Sequence, residues 1–170
     1  MKCTYSILTL ALLLGFTPRS LANWAYVGNG ESLIQSADVL AVGTITAFHA
    51  TVVHDHIEYI ADLLVSEVLA GEVSPSSHLT VIWVNQVGVV CPRLGHDLLI
   101  GIPSFFWLNA AGHHFVVPSP LSIRPLSEAH SLVSELSRVA APTERIRVVI
   151  ERARLAASTP AARHPLSPQD

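Results

Sequence analysis

The chain has 170 residues, of which 10 are basic and 13 acidic, and its formal net charge at pH 7 is −3. This weakly acidic balance argues against a nucleic-acid partner, because binding to phosphates needs clustered lysine and arginine. The length suits a single domain that buries an adequate core without disulfides or metals.

Residues 1–22 predict a cleaved signal peptide. Lys2 precedes an apolar run from Ile7 to Phe16, which is too short for a bilayer span of about 20 residues. Ser20-Leu21-Ala22 then places small residues at the two positions that a signal peptidase reads. We expect cleavage after Ala22 and a periplasmic or secreted protein, with an uncleaved amino-terminal anchor as the alternative. After cleavage, no integral membrane segment is expected.

Cleavage would change both the charge and the cysteine content of the chain. It removes Lys2 and Arg19, which leaves 8 basic against 13 acidic residues and a formal charge of −5. It also removes Cys3, so Cys91 has no intrachain disulfide partner. Cys91 is then either a buried thiol that behaves as a small apolar group or a disulfide partner of a second chain.

Strand patterns dominate the segment from residue 38 to residue 117. A short helix-like piece at Gly30–Gln35 precedes the first strand, and Gly43 within that strand indicates a bend or bulge. A polar turn is predicted around Thr51 to His56, and Asn109 to Gly112 predicts the turn of a hairpin. The predicted strands are Asp38–Phe48, Ile57–Leu69, His78–Val84, Leu98–Leu108 with a break at Pro103, and His113–Val117.

Helical spacing replaces the strand patterns after Pro125. Ser127 is the predicted cap of a first helix, and Pro142 opens a second, arginine-rich helix. We expect the second helix to pack on the barrel, although a membrane-surface or partner-binding helix is the alternative. The apolar positions are Ala129, Leu132, Val133, Leu136 and Val139 in the first helix, and Ile146, Val149, Ile150, Ala153 and Ala157 in the second.

These elements predict a mainly β protein with C-terminal helices. The expected architecture is a small five- to six-stranded antiparallel OB-type barrel plus two α-helices. The domain would span residues 23–157, and residues 158–170 would form a disordered tail because they are rich in proline, alanine and polar residues.

Three strings of the sequence resemble the netrin-like, TIMP-like domain of uncharacterised exported bacterial proteins. They are Ser36–Ile45, Val65–Glu72, and Cys91-Pro92 followed by Gly95 and Leu98–Gly101. The resemblance covers about residues 30–125 and implies an OB-type barrel. In the animal metalloproteinase inhibitors of this type, an amino-terminal cysteine chelates the zinc of the protease. The predicted mature chain begins with Asn23, which weakens any transfer of inhibitory activity.

The chain contains nine histidines, and four of them form a candidate metal site. His54 and His56 lie on the same side of an extended segment, so both imidazoles can face one ion. His113 or His114 would supply a third ligand if the strands are adjacent. Imidazole suits zinc or copper. The alternative is that histidines in a turn are simply solvated, in which case the protein has no cofactor.

No catalytic motif stands out in the sequence. Asp62 and Glu67 are expected on opposite faces of the second strand and solvated, so they do not form an acid/base pair. Cys91 carries no motif that marks a nucleophile, and there is no glycine-rich phosphate loop. The sequence therefore does not predict an enzyme.

Three function classes follow from these observations. The first is a non-enzymatic exported binding module of the cell envelope, with an envelope protein or a glycan as partner. The second is histidine-mediated binding or handling of zinc or copper, and the third is inhibition of metalloproteases. The sequence leaves the oligomeric state open.

Overall fold

The computed structural model describes residues 30–54, 56–86 and 100–159. The predicted signal peptide, the predicted mature terminus at Asn23 and Cys91 lie outside the described residues, as does nearly all of the predicted tail. Among the described residues, no helix is long and apolar enough to span a membrane.

The described chain is mainly β, as predicted, with six strands and three helices. The strands are β1 (Val39–Val53), β2 (His56–Ala70), β3 (His78–Gln86), β4 (Ser104–Ala111), β5 (His114–Val116) and β6 (Ile123–Pro125). The helices are α1 (Gly30–Ser36), α2 (Ala129–Leu136) and α3 (Glu144–Ser158). The short helix expected at Gly30–Gln35 and the two C-terminal helices are thus confirmed.

Five strands form a ring in the order β1-β2-β3-β5-β4, because β1 pairs with both β2 and β4. β6 pairs with Ser104–Phe106 of β4, whereas β5 pairs further along β4 at Asn109–Ala111. All pairings between the six strands are antiparallel except that of β3 with β5, which is parallel, so the prediction of a purely antiparallel arrangement was wrong. The direction of β5 relative to β3 follows from the other strand pairings. β4 runs against β1, β5 runs against β4, and β5 therefore points the same way as β3.

The β1–β2 hairpin is longer than the sequence suggested. Thr51 to Val53 continue β1, and Val53 pairs with His56, so the broad turn expected around residues 51–56 was wrong. The β-branched residues of this stretch favour the extended backbone, and His54 enters the tight turn with a φ of 53°. Register shifts flank Gly43, which confirms the expected irregularity there.

β1 contributes to two hydrophobic cores because its side chains alternate between its two faces. Val39, Ala41 and Ile45 point into the ring, where they meet Leu63, Val81, Trp83 and Leu108. Leu40 and Val42 point outwards and pack against the helices together with Phe105 and Trp107 of β4. The ring and the helices are therefore joined through β1 and β4.

The two C-terminal helices cover the outer faces of β1 and β4. α3 is buried at Ile146, Val149, Ile150 and Ala153, four of the positions predicted to form its apolar face, so its packing on the sheet is confirmed. The expected cap at Ser127 was wrong, because Ser127 lies inside the 3-10 turn Leu126–Glu128 that leads into α2.

Candidate functional site

The structure places the four predicted metal-binding histidines at two different turns. His54 is exposed at the tip of the β1–β2 hairpin, and His56 begins β2. His113 lies in the turn between β4 and β5, and His114 begins β5 opposite Ala111. That turn comes later than expected, since β4 continues through Ala111.

Strand register separates these two pairs of histidines. His56 stands beside Gln86 of β3. On the other side of β3, Val81 stands beside Phe115, so His114 is level with Thr80. Six residue steps along β3 therefore separate the two levels, which is about 20 Å at a rise of about 3.3 Å per residue. Among the described residues, no group of three or more histidine, cysteine or acidic side chains is placed to hold a metal ion.

The sequence missed a polar cluster that crosses the first three strands. His78 Nδ1 of β3 lies 2.9 Å from Asp62 Oδ2 of β2, and Thr46 Oγ1 of β1 donates to the same oxygen at 3.1 Å. Asp62 is 46% exposed and His78 is 59% exposed. Asp62 was expected to be merely solvated, but it instead orients a histidine on the surface.

This cluster lies on the side of β1, β2 and β3 that points away from the ring interior, beyond Leu40 and Val42 of β1, which the helices cover; we call this exposed surface the outer face. On β3 the buried residues Leu79, Val81 and Trp83 face the interior, so His78 and the even-numbered residues point outwards. Glu67, the other acid predicted to be solvated, pairs instead with Arg152 of α3.

An apolar row crosses the outer face beside the polar cluster. Ile60 of β2 stands directly opposite Ile82 of β3, and Ile82 stands beside Val116 of β5. Ile60 is 40% exposed, and the other two are half-buried. Each of these residues lies directly next to one that points into the ring, and because successive side chains of a strand alternate between its faces, the row comes to the opposite surface.

The outer face also carries negative charge. Glu58 and Asp62 are residues of β2 whose side chains point away from the ring interior. β1, β2 and β3 contain no lysine or arginine. Among the side chains of these three strands, only histidines such as His78 can carry a positive charge. A face of this kind favours a ligand that combines apolar groups with positive charge.

The chemistry of the cluster is that of a hydrogen-bonding surface. The Asp62 carboxylate can only accept a hydrogen bond from His78 Nδ1. The neutral imidazole therefore carries its proton on Nδ1 and offers Nε2 as an acceptor. Nucleophilic catalysis would need a hydroxyl or thiol bonded to Nε2. The hydroxyl of the cluster, that of Thr46, donates to Asp62 instead.

Comparison with known proteins does not assign the chain to a family. No protein-family model matches the chain, and no curated protein matches it significantly. The resemblance to netrin-like domains therefore stays a prediction.

Proposed function

We propose that this protein is a non-enzymatic, exported binding module of the cell envelope that captures a protein partner on the outer face of an OB-type barrel. The observation that carries the proposal is the partly exposed apolar row through Ile60, Ile82 and Val116, which lies beside the oriented pair of Asp62 and His78.

The strand order supports the OB-type assignment. In an OB barrel five strands close around one core, and the surface of the second and third strands binds ligands. Here the ring of five strands closes through the pairing of β1 with β4, and the apolar row and polar cluster meet on β2 and β3. The candidate surface thus coincides with the position that this architecture uses for binding.

Charge and apolar exposure together favour a polypeptide over a neutral glycan. Ile60 and Ile82 offer aliphatic contact area, whereas sugars prefer aromatic platforms and dense hydrogen bonding. Glu58 and Asp62 would attract lysine or arginine of the partner, and this attraction weakens with salt when the charges are exposed. The partner is therefore an envelope protein that presents a segment both basic and apolar. Export rests on the signal peptide of residues 1–22.

The proposal is tested by capture from envelope extract with immobilised full-length protein and two matched variants. Ile60→Glu adds a charge to the apolar row. Leu155→Glu makes the same kind of change at a leucine of α3 that is 62% exposed and belongs to neither the apolar row nor the polar cluster. Circular dichroism checks that both variants keep the fold.

We expect wild type and Leu155→Glu to capture the same protein, and Ile60→Glu to bind it at least about tenfold more weakly, a loss of about 1.4 kcal/mol. Raising the salt concentration should weaken capture. The proposal is wrong if nothing is captured at any salt concentration or if Ile60→Glu captures as well as wild type. A bound species that resists protease and is removed by glycosidases would replace the protein partner with a glycan.

A further inference from the structure

Two histidines lie beside the acids of the outer face on its first three strands. His49 of β1 is the cross-strand partner of Ile60 and points outwards with it. Glu58 and Asp62 precede and follow Ile60 by two residues on the same face of β2. His49 therefore lies diagonally beside both acids, at a Cα distance of about 7–8 Å. His78 of β3 contacts Asp62 directly.

A third histidine reaches the same surface from β5. Phe115 packs against the core of the ring, so its neighbour His114 points outwards on the same side as Val116. By register His114 stands beside Thr80, which is directly opposite Asp62. Two strand spacings of about 4.8 Å therefore separate His114 from Asp62. The resulting distance of roughly 10 Å is about one Debye length at about 0.1 M salt, so the two charges still interact.

The other ionisable side chains of β1, β2, β3 and β5 add no fixed positive charge to this surface. His56 is a further histidine with outward register at the start of β2. Tyr59 points into the ring, and Glu67 is paired with Arg152 of α3. The described histidines of the adjoining turns are His54 and His113. Within these four strands, positive charge on the outer face therefore comes from histidine alone.

The charge of the outer face consequently depends on pH. Histidine is the side chain that changes its charge between about pH 8 and about pH 5. With neutral histidines, Glu58 and Asp62 give the surface two negative charges. Protonation of His49, His78 and His114 adds three positive charges, so the sign of the local charge reverses. Protonation also converts His78 Nε2 from a hydrogen-bond acceptor into a donor.

We propose that a fall in pH reverses the charge of the outer face and thereby releases a basic partner. This inference rests on the proposed function, because it concerns binding at the same surface. Lysine or arginine of the partner meets two carboxylates at neutral pH, but meets protonated histidines in acid. An exposed charge pair changes an affinity by up to about fivefold. Three repulsive contacts of about twofold each, together with the lost acceptor, weaken binding by about tenfold.

Charged nitroxide probes test the charge reversal without any partner. A cationic and an anionic nitroxide of the same size are added separately to the full-length, isotopically labelled protein at about 0.15 M salt, where distant charges are screened. The cationic probe should relax the amide protons of β2 and β3 more strongly at about pH 7.5, and the anionic probe at about pH 5. A triple variant, with His49→Gln, His78→Gln and His114→Gln, should lose this reversal. Wild type without a reversal, or a triple variant that reverses equally, would overturn the proposal.

Capture from envelope extract at the two pH values then tests the release. Wild type should bind its partner about tenfold more weakly at about pH 5 than at about pH 7.5, and the triple variant should change by less than about threefold. The matched variant His130→Gln, at an exposed histidine of α2, should respond like wild type. Equal capture by wild type at both pH values would overturn the release and leave the proposed function standing. Absence of capture at both would overturn the proposed function and the release together, while the nitroxide probes would still decide the charge reversal.

Discussion

Replacing Gly43 by alanine should destabilise the ring at the point where three strands meet. Gly43 pairs with Val65 of β2 on one side and with Ser104 of β4 on the other. A Cβ atom at this position would lie 2.6 Å from the carbonyl oxygen of Leu64 and 2.8 Å from Leu63 Cδ1. The close neighbour is backbone held in a ladder, so the strands themselves have to separate.

The magnitude follows from three contributions. Overpacking costs about 1–3 kcal/mol, and a strained ladder hydrogen bond adds about 0.5–1.5 kcal/mol. The reduced entropy of the unfolded alanine chain returns about 0.4–1 kcal/mol. We therefore expect the free energy of unfolding to fall by about 2 kcal/mol. For a chain of this length, that lowers the melting temperature by about 4–8 °C.

Urea unfolding measures this loss through the fluorescence of the buried Trp83 and Trp107. Gly30→Ala is the matched control. Its added methyl group would meet Glu135 Oε1 at 2.5 Å, but the end of a side chain can shift where a backbone carbonyl cannot, and it is the other oxygen, Oε2, that pairs with Arg124. If Gly43→Ala unfolds within about 0.5 kcal/mol of wild type, a difference typical of neutral surface changes, the close packing of β1 against β2 is refuted.

Two further stability predictions use the helical side of the molecule. The Arg124 side chain is only 13% exposed and joins β6 to Glu128 of the 3-10 turn and to Glu135 of α2, so Arg124→Ala should cost about 1 kcal/mol in urea unfolding. The exposed pair of Arg147 should contribute less, and Arg147→Ala should stay within about 0.5 kcal/mol of wild type; equal losses would contradict this reasoning. Leu132→Ala leaves a cavity at a fully buried position of α2 and should lower the free energy of unfolding by about 2–5 kcal/mol. A loss below about 1 kcal/mol would show that the cavity collapses or that Leu132 is not packed as described.

The sequence predicted those parts of the fold that depend on local periodicity. Leu79, Val81 and Trp83 alternate along the predicted strand His78–Val84 and point into the ring, and Ile146 and Val149 lie on the buried face of α3, as their helical spacing predicted. Such patterns follow from the two-residue and 3.6-residue repeats of strand and helix, so they need no knowledge of distant contacts.

The features that the sequence did not predict depend on pairing between strands that are distant in the chain. The parallel pairing of β3 with β5 depends on β4 reaching β1 across the ring, and no local pattern encodes that crossing. The same pairing sets the levels of His56 and His114, which the sequence alone placed in a common candidate site. Asp62 and His78 are 16 residues apart in the chain, and only the register of β2 with β3 shows that they are neighbours.

Amide hydrogen exchange of the protein, alone and with its captured envelope partner, tests the central claim most directly. If the partner binds the outer face, peptides covering β2 and β3 should gain protection, and peptides of α3 should exchange as in the free protein. Protection confined to α3, or unchanged exchange in β2 and β3 at saturating partner, would contradict a binding site on the outer face.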